Sequence, residues 1–123
     1  QQIYESRKIK RIETVKDLKD SLPDCTKKCL AMIFQALRIE ANRELENLKI
    51  VMPKAFQLLG RNGRLAIISF HSLEDRIVKN YFRDLKQEGL AEILTKKPLV
   101  ASREELEKNK RSGSAKLRVI QKI

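Results

Sequence analysis

Gly63-Arg64-Leu65-Ala66-Ile67-Ile68-Ser69-Phe70-His71-Ser72-Leu73-Glu74-Asp75-Arg76 is the stretch on which the fold turns. Leu65 to Phe70 is nearly all apolar, has the length of a strand, and follows the turn signal Gly60-Arg61-Asn62-Gly63. That combination predicts a strand over Arg64–Phe70, buried on both faces. His71 and Ser72 end it. Ser72 with Asp75, three residues on, reads as an N-cap with an acidic partner, and Leu73, Ile77, Val78, Tyr81, Phe82 and Leu85 form an apolar helical stripe behind it. Gly89 closes that helix, and a strand feeding a helix in this way argues for an α/β protein.

Upstream, Thr14 and Asp17 predict a capped helix start, and Leu22-Pro23-Asp24 its end. Leu30, Phe34, Leu37, Ala41, Leu45, Leu48, Met52, Ala55 and Leu59 then recur at steps of three or four, which predicts one long helix. Pro53 should kink or restart it, because it leaves the Lys49 carbonyl without its donor. Downstream, two weaker strands are expected at about Ala91–Lys97 and Ala115–Lys122, with a polar, mostly helical linker around Ser102–Asn109. A strand apolar on both faces belongs inside a sheet, yet only these two other candidates exist. The pattern is that of a domain cut through.

The chain has 123 residues, with 27 Lys+Arg against 16 Asp+Glu, a net charge of +11. Such an excess suits a polyanion, chiefly nucleic acid or an anionic surface; a merely solvated cationic surface is the plainer alternative. No apolar run approaches the roughly 20 residues that span a bilayer, and no signal-peptide pattern opens the chain, so no membrane partner and a cytoplasmic location are expected. Cys25 and Cys29 would share a helix face, but His71 is distant and no second Cys pair completes four ligands. Two free thiols and no metal are the expectation.

From Phe34 onward the sequence resembles a known family. Phe34-Gln35-Ala36-Leu37-Arg38-Ile39 with Asn42 and Glu44-Leu45, the block Gly63–Arg76, Thr95-Lys96-Lys97-Pro98, and Arg111-Ser112-Gly113-Ser114-Ala115-Lys116-Leu117-Arg118 follow one another as in the bacterial ribosomal RNA small-subunit methyltransferases of the MraW/RsmH type. Met32, Lys110 and Gly113 depart from that pattern. The resemblance implies an S-adenosylmethionine-dependent enzyme that methylates N4 of a cytosine in 16S rRNA of the small ribosomal subunit. It also implies the C-terminal fragment of a class I methyltransferase (Rossmann-like) α/β fold, with about three strands, a long kinked helix and part of an inserted helical domain. Residues 1–45 would belong to that inserted, substrate-recognition domain and residues 46–123 to the core, as equivalents of strands five to seven. Ala115–Lys122 should then lie in the middle, antiparallel to both neighbours, and the edge along Arg64–Phe70 should be unpaired. The first four strands, with the donor-binding loop and the catalytic loop, would be missing.

The residues point the same way on the donor. A donor loop needs clustered glycines, and the four here, at 60, 63, 89 and 113, form no G-x-G-x-x-G. No catalytic, cofactor-binding or metal residues are therefore assigned. The Ser, His and acids of His71–Asp75 do not suggest a hydrolase, since adjacent residues at a strand end project in different directions. By resemblance, His71, Ser72 and Glu74 lie beside the substrate cytosine as positioning residues; a block that only caps a helix is the plainer alternative. Lys96, Lys97, Arg111, Lys116 and Arg118 would meet rRNA phosphates. The competing reading of Lys116 and Arg118 is a strand face paired with Glu104, Glu105 and Glu107. Arg7, Lys8, Lys10 and Arg11 form a second basic patch, and Arg38 is expected in an ion pair with a buried acid. The chain alone should be inactive. The rival readings are a non-catalytic basic RNA-binding module and an obligate partner of a separately encoded N-terminal half.

Overall fold

In the computed structural model, which describes residues 1–123, strand β1 (Arg64–Ser69) pairs antiparallel with β4 (Lys116–Lys122) from Arg64↔Gln121 to Ser69↔Lys116. The other side of β4 carries β2 (Ala91–Ile93) and, further along, β3 (Leu99–Val100), both antiparallel to it. The expected central strand is thus in place and β1 is an edge, but the sheet has four strands where about three were expected. The strand predicted over Ala91–Lys97 stops at Ile93. Beyond it the Leu94 and Thr95 amides both reach the Val119 carbonyl, and Thr95 Oγ1 accepts from the Val119 amide at 2.8 Å. A side chain takes over the ladder there, Lys96 and Lys97 bulge outward, and the chain pairs again after Pro98.

Helix α5 (Ser72–Gln87) lies on this sheet, burying Val78, Phe82 and Leu85 against Ile120 and Ala91. Helix α4 (Glu44–Gln57) adds Met52 and Phe56 to the same core. Leu65 and Ile67 of β1 point into it, whereas Arg64, Ala66 and Ile68 on the opposite face are exposed. The double-sided burial expected of β1 is therefore not observed, because no element of this chain covers that second face. Ile68 and Phe70 are more than half exposed beside an unpaired strand edge, a combination that favours edge-to-edge association.

The single long helix expected across residues 30–59 is two. Helix α3 (Lys27–Asn42) ends before Arg43, whose φ of 52° and ψ of 37° are left-handed, and α4 starts at Glu44. An apolar seam is a pattern of spacing along the sequence, and it carries no signal of the one left-handed residue that interrupts the helix. Pro53 lies inside α4 without ending it.

The chain divides into two units, Gln1–Asn42 and Arg43–Ile123. The first contains α1 (Gln2–Ile9), α2 (Val15–Asp20) and α3, with Leu18 and Leu22 buried. Thr14 caps α2 as expected, its hydroxyl accepting from the Asp17 amide while Asp17 accepts from the Thr14 amide. Asp17 also accepts from Lys10 Nζ at 2.8 Å. That bond, helped by Thr14, holds the Asp17 carboxyl well below the usual carboxylate range. The basic patch of this unit is internally neutralised in part, since Lys8 pairs with Glu5 and Arg11 with Glu13.

Cys25 and Cys29 are joined in a disulfide, correcting the expectation of free thiols. Cys25 lies in the turn before α3, so the two do not share one helix. Its amide reaches the Leu22 carbonyl, the Cys29 amide reaches Thr26 Oγ1, and the turn brings the Cα atoms to 5.5 Å, within bridging range. Arg38 is exposed on α3. No helix is long and apolar enough to cross a membrane.

Candidate functional site

β1 ends at Ser69, and the next two residues turn the chain into α5. The residue that caps α5 is His71, not Ser72. His71 Nδ1 accepts from the Glu74 amide at 3.3 Å, and Glu74 Oε2 accepts from the Phe70 amide at 2.8 Å and the His71 amide at 3.3 Å. The expected Ser72–Asp75 pair is thus displaced by one residue. An imidazole nitrogen reaches the third amide as a serine hydroxyl does, and the extended backbone of His71 (φ −139°, ψ 163°) places it at the cap. Ser72 is exposed.

The cap bond assigns the tautomer. Nδ1 accepts a hydrogen bond from the Glu74 amide, so in the neutral ring the proton is on Nε2. The His71 side chain is 7% exposed, and its Nε2 is buried without a hydrogen bond. Glu74 Oε1 lies 3.2 Å away and Glu44 Oε2, from the first turn of α4, 4.0 Å away. These three side chains are close enough to suggest a cation site. A metal would need the Nε2 lone pair, however, and while Nδ1 caps the helix that position carries the proton. The cluster therefore holds one buried N–H donor flanked by two carboxylates. His71→Ala is expected to lower stability by about 1 kcal/mol through loss of the cap, and His71→Asn to recover most of it, read by urea denaturation. Equal stability of all three proteins would show that the cap contributes nothing.

Asp75, freed from capping, faces β4. Arg118 Nε and Nη2 fork onto its two oxygens at 2.7 and 3.1 Å, and Lys116 Nζ stands 3.8 Å from the same carboxylate. Arg118, backed by Lys116, holds the Asp75 carboxyl below its ordinary range although burial opposes this. Lys116 and Arg118 do share a strand face, but their acid is Asp75. Glu104 and Glu107 instead pair with Lys108 and Arg103 within α6 (Arg103–Lys108), and Glu105 lies on the same short helix.

The structure gathers His71, Ser72, Glu74, Lys116 and Arg118 at one end of the sheet, where β1 ends and β4 begins. Arg111 stands in a 3-10 turn (Lys110–Ser114) leading into β4, exposed. Lys96 and Lys97 are on the bulge between β2 and β3; Lys96 faces Lys79, Arg83 and Lys86 across a recess. Sequence reasoning missed Glu44 and this trio. The trio has a legible signal, since residues 79, 83 and 86 fall on one face of a helix.

A cofactor cradle is not among these features. A Cβ on Gly63 would meet the Gly60 carbonyl at 2.8 Å, so that glycine serves its own turn. Gly113 faces a Leu106 methyl, and Gly60 and Gly89 face open space. The four glycines, at 60, 63, 89 and 113, do not cluster into a loop of the kind that lets backbone approach a nucleotide-like donor.

Comparison with known proteins gives the chain its relatives. The ribosomal RNA small subunit methyltransferase H of Coprothermobacter proteolyticus is 46% identical over 98% of this chain and 42% of its own length. Those of a Sulfurihydrogenibium species and of Borrelia garinii are 48% and 49% identical over 98% of the chain, covering 44% and 43% of those proteins. The chain thus spans under half the length of these relatives. A family model described as the MraW methylase family matches residues 1–123, and with the whole chain covered it belongs to that family.

Proposed function

We propose that this chain is the substrate-facing C-terminal part of an S-adenosylmethionine-dependent enzyme that methylates N4 of a cytosine in 16S rRNA. In this reading the donor-binding residues lie in the remainder of a longer protein, and the chain alone performs no transfer. The observation that carries it is the Glu44–His71–Glu74 cluster at the C-terminal end of β1. That end of a strand is where open α/β sheets place their ligands. A cytosine edge offers an amino donor at N4 beside an acceptor at N3. A carboxylate flanking an imidazole N–H complements that pair, so the residues of this cluster would position the base without acting as catalytic base. Lys96, Lys97, Arg111 and Lys116 would meet phosphates of the surrounding strand. Arg118 serves them indirectly, by holding Asp75 and thereby the start of β4.

The test is methyl transfer from labelled S-adenosylmethionine to small ribosomal subunits. The chain alone should transfer nothing above background and show no stoichiometric donor binding by calorimetry. A protein extended to the full length of its relatives should be active. In that longer protein, Glu74→Gln should reduce transfer far more than Lys97→Gln. Tight donor binding by the 123-residue chain would overturn the division of labour. A second reading, a non-catalytic RNA-binding module, is favoured by the net charge of +11, and inactivity of the extended protein with retained RNA affinity would select it.

A further inference from the structure

We infer that the recess between α5 and the bulge after β2 is a phosphate-binding site. Its volume is about 210 Å³, several times the ~30 Å³ that one water occupies in the liquid. Lys79, Arg83 and Lys86 descend one face of α5, and Lys96 comes from the opposite wall. Phe82 and Ile93 form an apolar floor between them.

The charges here are not spent on the protein. Lys79, Lys86 and Lys96 form no salt bridge, and Asp75, one helical turn before Lys79, is already forked by Arg118. Arg83 meets only its neighbour Asp84, at 3.6 Å in an exposed pair of the kind that contributes little. Five cations line this concavity, and Arg118 is neutralised by Asp75; the other four repel one another, and an anion seated among them removes that cost. Arg83 supplies a planar fork and the lysines point charges, the two ways proteins hold phosphate oxygens. The apolar floor would carry the sugar of a nucleotide. The wall bearing Lys96 is fixed, because Thr95 bonds both the amide and the carbonyl of Val119.

The shared chemistry is a phosphoryl group, from a free phosphorylated molecule or from an RNA backbone. The backbone version deepens the function proposed above and rests on it; the site itself does not. The 123-residue chain would be titrated with inorganic phosphate and, separately, with a single-stranded RNA oligonucleotide, following backbone amide signals. Both should shift Thr95, Lys96 and Arg83. The variant Lys79→Gln, Arg83→Gln, Lys86→Gln should weaken RNA binding at least tenfold. Its log–log salt slope should flatten by about 0.7 for each phosphate no longer engaged. A control with the same charge change elsewhere, Lys16→Gln, Lys19→Gln, Lys28→Gln, should lose much less. All six positions are exposed, and thermal melts would verify that both variants remain folded.

Equal losses in the two variants, or no shift at Lys96 with either probe, would overturn the site. RNA binding that survives without shifting Lys96 would overturn the site while leaving the rRNA reading standing. Shifts with phosphate but not with RNA would uphold the site and overturn its backbone source.

Discussion

Arg118→Ala should lower the stability of the Arg43–Ile123 unit by about 3 kcal/mol, near the lower end of what breaking a buried ion pair costs. The side chains of Arg118 and Asp75 are 9% and 13% exposed, so removal of the guanidinium leaves a carboxylate that water cannot fully solvate. Lys116, at 3.8 Å and more exposed, offers a poor replacement. Asp75→Asn should cost a comparable amount by leaving Arg118 half-satisfied. The double variant Arg118→Leu, Asp75→Ala should recover much of the loss, since desolvation of both charges is avoided.

The pH dependence follows from the lowered pKa of Asp75. A carboxyl with a depressed folded pKa stabilises above the unfolded value, about 3.9, and that stabilisation is lost as pH falls through the folded pKa. Wild-type stability should therefore fall below about pH 4, and more steeply than that of Asp75→Asn. Urea denaturation at neutral pH and in acid reads both effects. A loss under about 1 kcal/mol for Arg118→Ala would show the pair to be as weak as an exposed one.

Phe82→Ala should be at least as damaging, about 3–5 kcal/mol. Phe82 is 1% exposed and packs with Val78, Leu85 and Ile120, where α5 meets the centre of the sheet. Loss of the ring leaves a cavity walled by helix and strand, neither of which can collapse into it. Against a total stability of about 5–15 kcal/mol for a typical domain, the variant would be only marginally folded. Phe82→Leu keeps most of the volume and should cost about 1–1.5 kcal/mol. Chemical denaturation of the three proteins gives the comparison; indistinguishable values for alanine and leucine would mean the site repacks freely.

These two side chains differ in how visible they are beforehand. Phe82 sits on a stripe of helical period, and period alone places it inside. Arg118 looks from sequence like a cation on a strand face, open to RNA or to the acids of residues 104–107. Its partner is 43 residues away along the chain and reaches it only because β4 returns beside β1. Between these extremes lies the cap of α5. The run His71–Asp75 announces a helix start, but which residue caps it depends on one backbone conformation, and the signal is met one residue early.

By itself the sequence determined the strand–helix unit over residues 64–87, the capped α2, the helical linker over 103–108 and the family resemblance. All of these rest on neighbours within a few positions, where period, cap and turn chemistry act directly. Only the tertiary structure decided that the long apolar seam breaks at Arg43, that Cys25 and Cys29 bridge, and that Asp75 belongs to Arg118. It alone also brought Glu44 to His71, and Lys96 to the lysines of α5. The reason is physical: a side chain's type limits what it can bond, but the partner it finds is set by which distant segments pack together.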